Sequence, residues 1–163
     1  MACIFWCCSK KIRVLPMPGF DVKKYMGRWY EIARLRHPFE RGLTNVTADY
    51  TLQKNGKIRV VNRGFHPGRE KWQEARAVAV EGDAPNHLKV YFFPLIPGHY
   101  KVAYLDPEYR YAVVSGGHPE FLWFLARTPQ ISREQLNKML DAARRLGYDT
   151  DKLIYVEHTR PAK

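Results

Sequence analysis

The 163 residues are 45% hydrophobic and 13% aromatic, a composition that excludes a disordered chain and supports one folded domain rather than two. No stretch approaches the roughly 18 uninterrupted apolar residues of a membrane-crossing helix. The formal charge of +11 is spread as +3 over residues 1–19, +5 over 20–126 and +3 over 127–163, without the stripe that nucleic-acid binders carry, so it reads as a solvated basic surface drawn to anionic headgroups rather than to nucleic acid.

The chain opens on MACIFWCCSKK, whose apolar run is too short for a complete signal peptide and lacks a basic leader. Cys3, Cys7 and Cys8 are the only cysteines, so the body holds no disulfide, thiolate metal ligand or cysteine nucleophile. Residues 1–19 read as an arm and residues 20–163 as the domain.

From Gly27 to Arg127, short β segments alternate with turn signals about every ten residues. The expected strands lie near 28–36, 44–54, 57–65, 71–81, 87–93, 99–105, 111–115 and 121–127. Between the second and third, Asn55-Gly56 predicts a two-residue type I′ turn. The other connections carry Pro or Gly and are short, which predicts an up-and-down meander able to close on itself. From Ser132 the period changes: Leu136, Met139, Leu140, Ala143 and Leu146 fall at helical spacing. Ser132 with Gln135 predicts a capping box, Ile131 with Leu136 a hydrophobic staple, and Gly147 the stop. Lys152 to Glu157, KLIYVE, reads as a last strand.

Catalytic chemistry has no motif. The six histidines show no helical i, i+4 pair, and none of the three serines sits in Gly-x-Ser-x-Gly. The expectation is therefore no enzyme, no cofactor and no metal.

Three stretches occur in order: GRWYEIAR from Gly27, YKVAYLDPEYRYAVV from Tyr100 to Val114, and FLWFLARTP from Phe121 to Pro129. Together they resemble the three signatures of the lipocalins, with Gly27-x-Trp29 first, Leu105-Asp106 and Tyr109 second, and Arg127 third. The stretch RHPFERGLTNVTADYTL and the LARTP…I approach to the helix resemble the bacterial outer-membrane lipocalins, relatives of apolipoprotein D and the plant temperature-induced lipocalins. The resemblance implies an all-β fold: an eight-stranded antiparallel up-and-down barrel with one C-terminal helix packed outside it and a short final strand. It also implies that Gly27, Trp29 and Arg127 close the barrel's base. A cation over an indole is worth roughly 0.5–2 kcal/mol, and five guanidinium donors can satisfy carbonyls crossing that base.

An eight-stranded barrel has room for one small ligand. Alternation along each strand, with the phase set partly from the family pattern, turns inward Trp29, Glu31 and Ala33; Val46, Ala48 and Tyr50; Ile58, Val60 and Asn62. Leu88, Val90 and Phe92 follow, then Tyr100, Val102 and Tyr104, then Val113 and Ser115, then Trp123 and Leu125. On the fourth strand either Ala75, Ala77 and Ala79 or Val78 and Val80 face inward. Glu31 is either internally paired or a polar anchor at the pocket floor, because a buried carboxylate must be paired or protonated. Phe124 should face outward beneath Met139, Leu140 and Ala143. The open-end loops 37–43, 66–70, 94–98 and 116–120 carry Phe39, Leu95 and Ile96, for a gate, a membrane contact or a homodimer surface.

The lining suits a fatty acid, a lysophospholipid or a similar amphiphile, stored or carried for membrane maintenance under stress. The alternative is a filled-core barrel acting as an interaction or stress-protection module. Related bacterial proteins carry a lipidated cysteine, which would be Cys8 if the start codon is misassigned; S-acylation at Cys3, Cys7 or Cys8 is the other route. Either route tethers the chain to a membrane, the first as an outer-membrane lipoprotein facing the periplasm and the second on a cytoplasmic face, and a cytoplasmic or untethered soluble chain is the remaining possibility.

Overall fold

A computed structural model describes residues 11–93 and 96–161. Cys3, Cys7, Cys8 and Leu95 lie outside the described residues, as do the side chains of Phe39 and Ile96. A short helix α1 (Val22–Tyr25) leads into β1 (Gly27–Arg34), β2 (Thr44–Leu52), β3 (Ile58–His66), β4 (Lys71–Glu81), β5 (His87–Phe93), β6 (Ile96–Leu105), β7 (Tyr111–Ser115) and β8 (Leu122–Ala126). Each strand pairs antiparallel with the next, and β1 pairs with both β2 and β8, so the meander closes into a barrel. Helix α2 (Arg133–Arg145) and the two-residue strand β9 (Ile154–Tyr155) follow.

Alternation along the strands sorts the apolar side chains into two cores. The inner one gathers Trp29, Tyr50, Ile58, Val60, Ala77, Ala79, Leu88, Val90, Val102, Ala112, Val114 and Leu125. The outer one joins Ile32, Ala33, Leu35, Val113, Leu122 and Phe124 to Met139 and Ala143 of α2. Phe124 faces outward beneath the helix, as its phase required. Residues 11–19 also lie against the barrel: Ile12 is buried in the outer core, and Asn86 holds the backbone of Leu15 and Met17.

Two bulges reset the alternation. In β1 the register with β8 shifts between Glu31 and Ala33, and in β6 the register with β7 shifts between Val102 and Tyr104. An extra residue swaps every later side chain to the other face. Ala33 and Tyr104 therefore face out, contrary to the strict alternation, while Arg34 and Leu105 turn in.

The hairpin between β2 and β3 is wider than the Asn-Gly dipeptide suggested. Gly56 donates to the Gln53 carbonyl at 3.0 Å and Gln53 donates to the Lys57 carbonyl at 2.8 Å. Gly56 has φ +78°, whereas Asn55 keeps a negative φ and caps the Lys57 amide at 3.1 Å. This is a three-residue loop with a glycine bulge, not type I′. At the start of α2, Ser132 accepts from the Gln135 amide at 3.2 Å. The return half of the capping box does not form, because the Gln135 side chain reaches across to the Tyr104 hydroxyl instead.

Above Tyr30, strands β1 and β2 part. The C-terminal segment fills the seam: Val156 donates to the Ile32 carbonyl at 2.9 Å and Asn45 donates to the Glu157 carbonyl at 2.8 Å. The Asn45 side chain accepts from the amides of Thr159 and Arg160 at 2.9 and 2.7 Å.

Candidate functional site

The base of the barrel joins α1 and the start of β1 to Arg127 just after β8. Gly27 takes φ +94°, a left-handed conformation unfavourable to other residues, and a β-carbon there would come within 3.4 Å of Arg127. That bend sends Trp29 to the barrel axis, fully buried, with its Nε1 donating to the Tyr25 carbonyl at 2.8 Å. The Arg127 guanidinium lies 3.9 Å above the Trp29 ring. Its Nε and Nη1 donate to the carbonyls of Tyr109 and Arg28, and its Nη2 to those of Lys24 and Tyr25.

On this stopper rest three tyrosines. The Tyr25 and Tyr100 hydroxyls are 2.7 Å apart, and Tyr50 donates to Tyr100 at 3.0 Å. Burial raises the pKa of all three, so they stay protonated donors. Tyr25 comes from α1 and lay outside the expected lining; its sequence signal is an aromatic residue two positions before Gly27.

Above the tyrosines the wall is made of small residues in register. Tyr50, Val60 and Ala77 form one row across β2, β3 and β4, and Ala48, Asn62 and Ala75 form the next. The fourth strand thus turns its alanines inward, with Val78 on the outside and 39% exposed. Ala75 faces inward yet is exposed, and Ala48, Asn62, Tyr100 and Trp123 are half-buried. Inward side chains keep accessible surface only where solvent reaches them, so the upper barrel is open where the base is packed. The buried Asn62 Oδ1 has no hydrogen-bond partner among the described residues.

The mouth is crossed by the β1–β2 loop, whose single 3-10 turn (Pro38–Glu40) drops a carboxylate into the barrel. Glu40 accepts from the Trp123 Nε1 at 3.1 Å and lies 3.0 Å from the His37 Nε2. Arg34 donates to Glu31 at 2.6 Å and to the carbonyls of Glu40 and Leu43. Burial, reinforced by the nearby Glu40 charge, holds the Glu31 carboxyl well above the usual carboxylate range despite Arg34. Burial also opposes ionisation of Glu40, but His37, Arg34 and Trp123 together outweigh it and keep Glu40 below that range. Of the two carboxyls, Glu31 is thus the one that takes up a proton more readily.

The structure turns inward Trp29, Glu31, Val46, Ala48, Tyr50, Ile58, Val60, Asn62, Leu88, Val90, Tyr100, Val102, Trp123 and Leu125. Five other expected lining residues lie elsewhere. Ala33 packs in the outer core, Tyr104 bonds to Gln135 of α2, and the Ser115 hydroxyl is 2.6 Å from that of Tyr148 outside the barrel. Val113 packs outside as well, because Ala112 and Val114 take the inward phase of β7. Phe92 is 47% exposed near the end of β5, at the rim rather than in the buried interior. Arg34 and Glu40 were missed; the i, i+3 spacing of Glu31 and Arg34 was the available clue to the first, and nothing local pointed to the second.

Residues 20–158 match the family described as Lipocalin-like domain. The chain is 44% identical over 154 residues to the outer membrane lipoprotein Blc of Vibrio cholerae serotype O1, covering 93% of this chain and 90% of that protein. It is 48% identical over 141 residues to the outer membrane lipoprotein Blc of Escherichia coli K12, covering 85% and 80%. Among solved structures, insecticyanin from the tobacco hornworm Manduca sexta superposes with a TM-score of 0.73 at 18% identity, over 94% of this chain and 89% of that one.

Proposed function

Because the chain belongs to the lipocalin family, we propose that it carries a single-chain amphiphile, a fatty acid or a lysophospholipid, in the upper half of its barrel. At the coarser level it is a binding protein for a small hydrophobic ligand. The observation that carries the finer reading is the contrast between the two halves. The base is filled by Trp29 and three tyrosines, whereas the wall above is lined by Ala48, Asn62 and Ala75, which solvent reaches. An acyl chain laid along that wall would bury apolar surface at about 25 cal/mol per Å², with its head left at the mouth.

The acceptor left open on Asn62 Oδ1 suits a ligand hydroxyl, which a lysophospholipid has on its glycerol and a fatty-acid carboxylate lacks. This favours a lysophospholipid over a free fatty acid. Arg34 is paired with Glu31 and Glu40 lies against His37, so the mouth holds no unpartnered buried charge and suits a zwitterionic head. The work proposed is carriage and not catalysis. The relatives named outer membrane lipoprotein support placing this chain at the same membrane.

Delipidated protein titrated with an environment-sensitive fatty-acid probe should bind saturably, about one per chain at micromolar concentration, with quenching of Trp123. Lysophosphatidylcholine should displace the probe better than palmitate. Absence of saturable binding would overturn the reading in favour of a filled barrel, and xenon uptake tells a filled interior from an open one that has a different ligand.

A further inference from the structure

Outside the barrel, the β1–β2 loop and the C-terminal segment leave between them a groove of about 320 Å³ lined by Arg34, Arg36, His37, Arg41, Ile154 and Glu157 among others. At the floor Arg34 is committed to Glu31 and to two carbonyls. Arg36 and Arg41 are exposed and have no hydrogen bond or ion pair among the described residues. Glu40, the loop's one carboxylate, could neutralise them, but it turns into the barrel toward His37 and Trp123. The exposed Glu157 is the acidic residue left in the lining. Beside the arginines, Ile154 and Tyr155 are 41% and 54% exposed although they belong to a strand.

Two unpaired guanidiniums next to an exposed aliphatic and an exposed phenol form the chemistry of a bilayer interface. The guanidinium fork matches phosphate oxygens, and the apolar neighbours suit the headgroup boundary. The groove volume falls near the low end of small-molecule sites, roughly 300–1,000 Å³, room for a headgroup and not for a whole lipid. We propose that this groove is a second binding site, taking the phosphate of an anionic phospholipid headgroup while that lipid stays in its membrane. The loop forming one wall of the groove also crosses the barrel mouth, so docking there sets the mouth against the bilayer. The groove shares Arg34 and His37 with the barrel mouth, but the test uses only Arg36 and Arg41, which are exposed, so it stands or falls independently of the probe titration.

The test is cosedimentation of the full chain with vesicles of phosphatidylglycerol and phosphatidylcholine, compared with phosphatidylcholine alone. Each arginine near an anionic surface contributes about fivefold in affinity, the equivalent of about 1 kcal/mol. The double variant Arg36→Gln/Arg41→Gln should therefore bind the anionic vesicles about 25-fold more weakly. The matched variant Arg133→Gln/Arg145→Gln, with the same charge change on exposed positions of α2, should lose less than about threefold. Thermal melts of both should match the parent, since all four side chains are exposed. Equal losses in the two variants would reduce the effect to overall basicity and overturn the site, as would an unchanged affinity of the groove variant. Preference for soluble polyglutamate over the anionic vesicles would make the groove a peptide site and also overturn the proposal.

Discussion

Replacing Arg127 with alanine tests whether the stopper at the base is structural. The substitution removes a cation 3.9 Å above Trp29 and takes the guanidinium donor from the carbonyls of Tyr109, Arg28, Lys24 and Tyr25, of which Tyr25 keeps the Trp29 Nε1. A hydrogen bond to a charged group is worth about 1.5–3 kcal/mol when buried. The guanidinium is only partly buried, so water can replace the bond to Lys24 and part of that to Tyr25. The bonds to Tyr109 and Arg28 then count for about 1 kcal/mol each, and the stacking on the indole adds about 1 kcal/mol. The total is about 3 kcal/mol, a large share of the roughly 5–15 kcal/mol that stabilises a domain. At this chain length it should lower Tm by about 6–12 °C. Arg127→Lys keeps a cation for the ring but loses the fork, and should lie between the two. Thermal unfolding followed by near-ultraviolet circular dichroism, which sees Trp29, measures both. Probe affinity at 15 °C, well below either transition, should change less than about twofold, because the ligand wall is higher in the barrel. A Tm within about 2 °C of the parent would refute the reasoning, and so would a lysine variant as stable as the parent.

Glu31→Gln should flatten the stability profile above the ordinary carboxylate range. Native Glu31 keeps a proton that the unfolded chain releases, so parental stability falls as pH rises from the ordinary value through the raised one; a urea midpoint rising over that window relative to the variant would contradict this. Ala75→Trp should weaken the fatty-acid probe at least tenfold with little change in Tm, while Val78→Trp on the outer face of the same strand should leave binding intact; equal effects would deny β4 its role as the ligand wall. Asn45→Ala puts at φ +53° a residue without the side-chain amide that eases the left-handed backbone, and removes the acceptor for two amides, a cost of about 2–3 kcal/mol. Hydrogen exchange should then accelerate at Thr159 and Arg160, and unchanged protection there would show that the C-terminal segment holds the seam without Asn45.

Much of this molecule is written in local pattern. The strands at 71–81, 87–93 and 111–115 coincide with their sequence limits because turn residues bound each run of alternating side chains, and α2 follows from its 3.6-residue spacing and the Ser132 cap. The pairing of Trp29 with Arg127 was legible from the two motifs that carry them. The choice of alanines over valines on β4 was not, since either face satisfies an alternation; closure of the barrel made it by giving the inside to the smaller side chains. Val113 and Ser115 were placed inward by choosing the wrong phase of an unbroken alternation, whereas alternation could not reveal where Ala33 and Tyr104 point. A bulge adds one residue to one strand, and only the partner strand shows that the count has slipped. Glu40 meets Trp123 from 83 positions away, and residues 154–160 reach Asn45 from more than a hundred. Local propensity determined the elements and the stopper, whereas contacts between distant segments, made only once the sheet had rolled shut, decided which side chains share the chamber and what crosses its mouth.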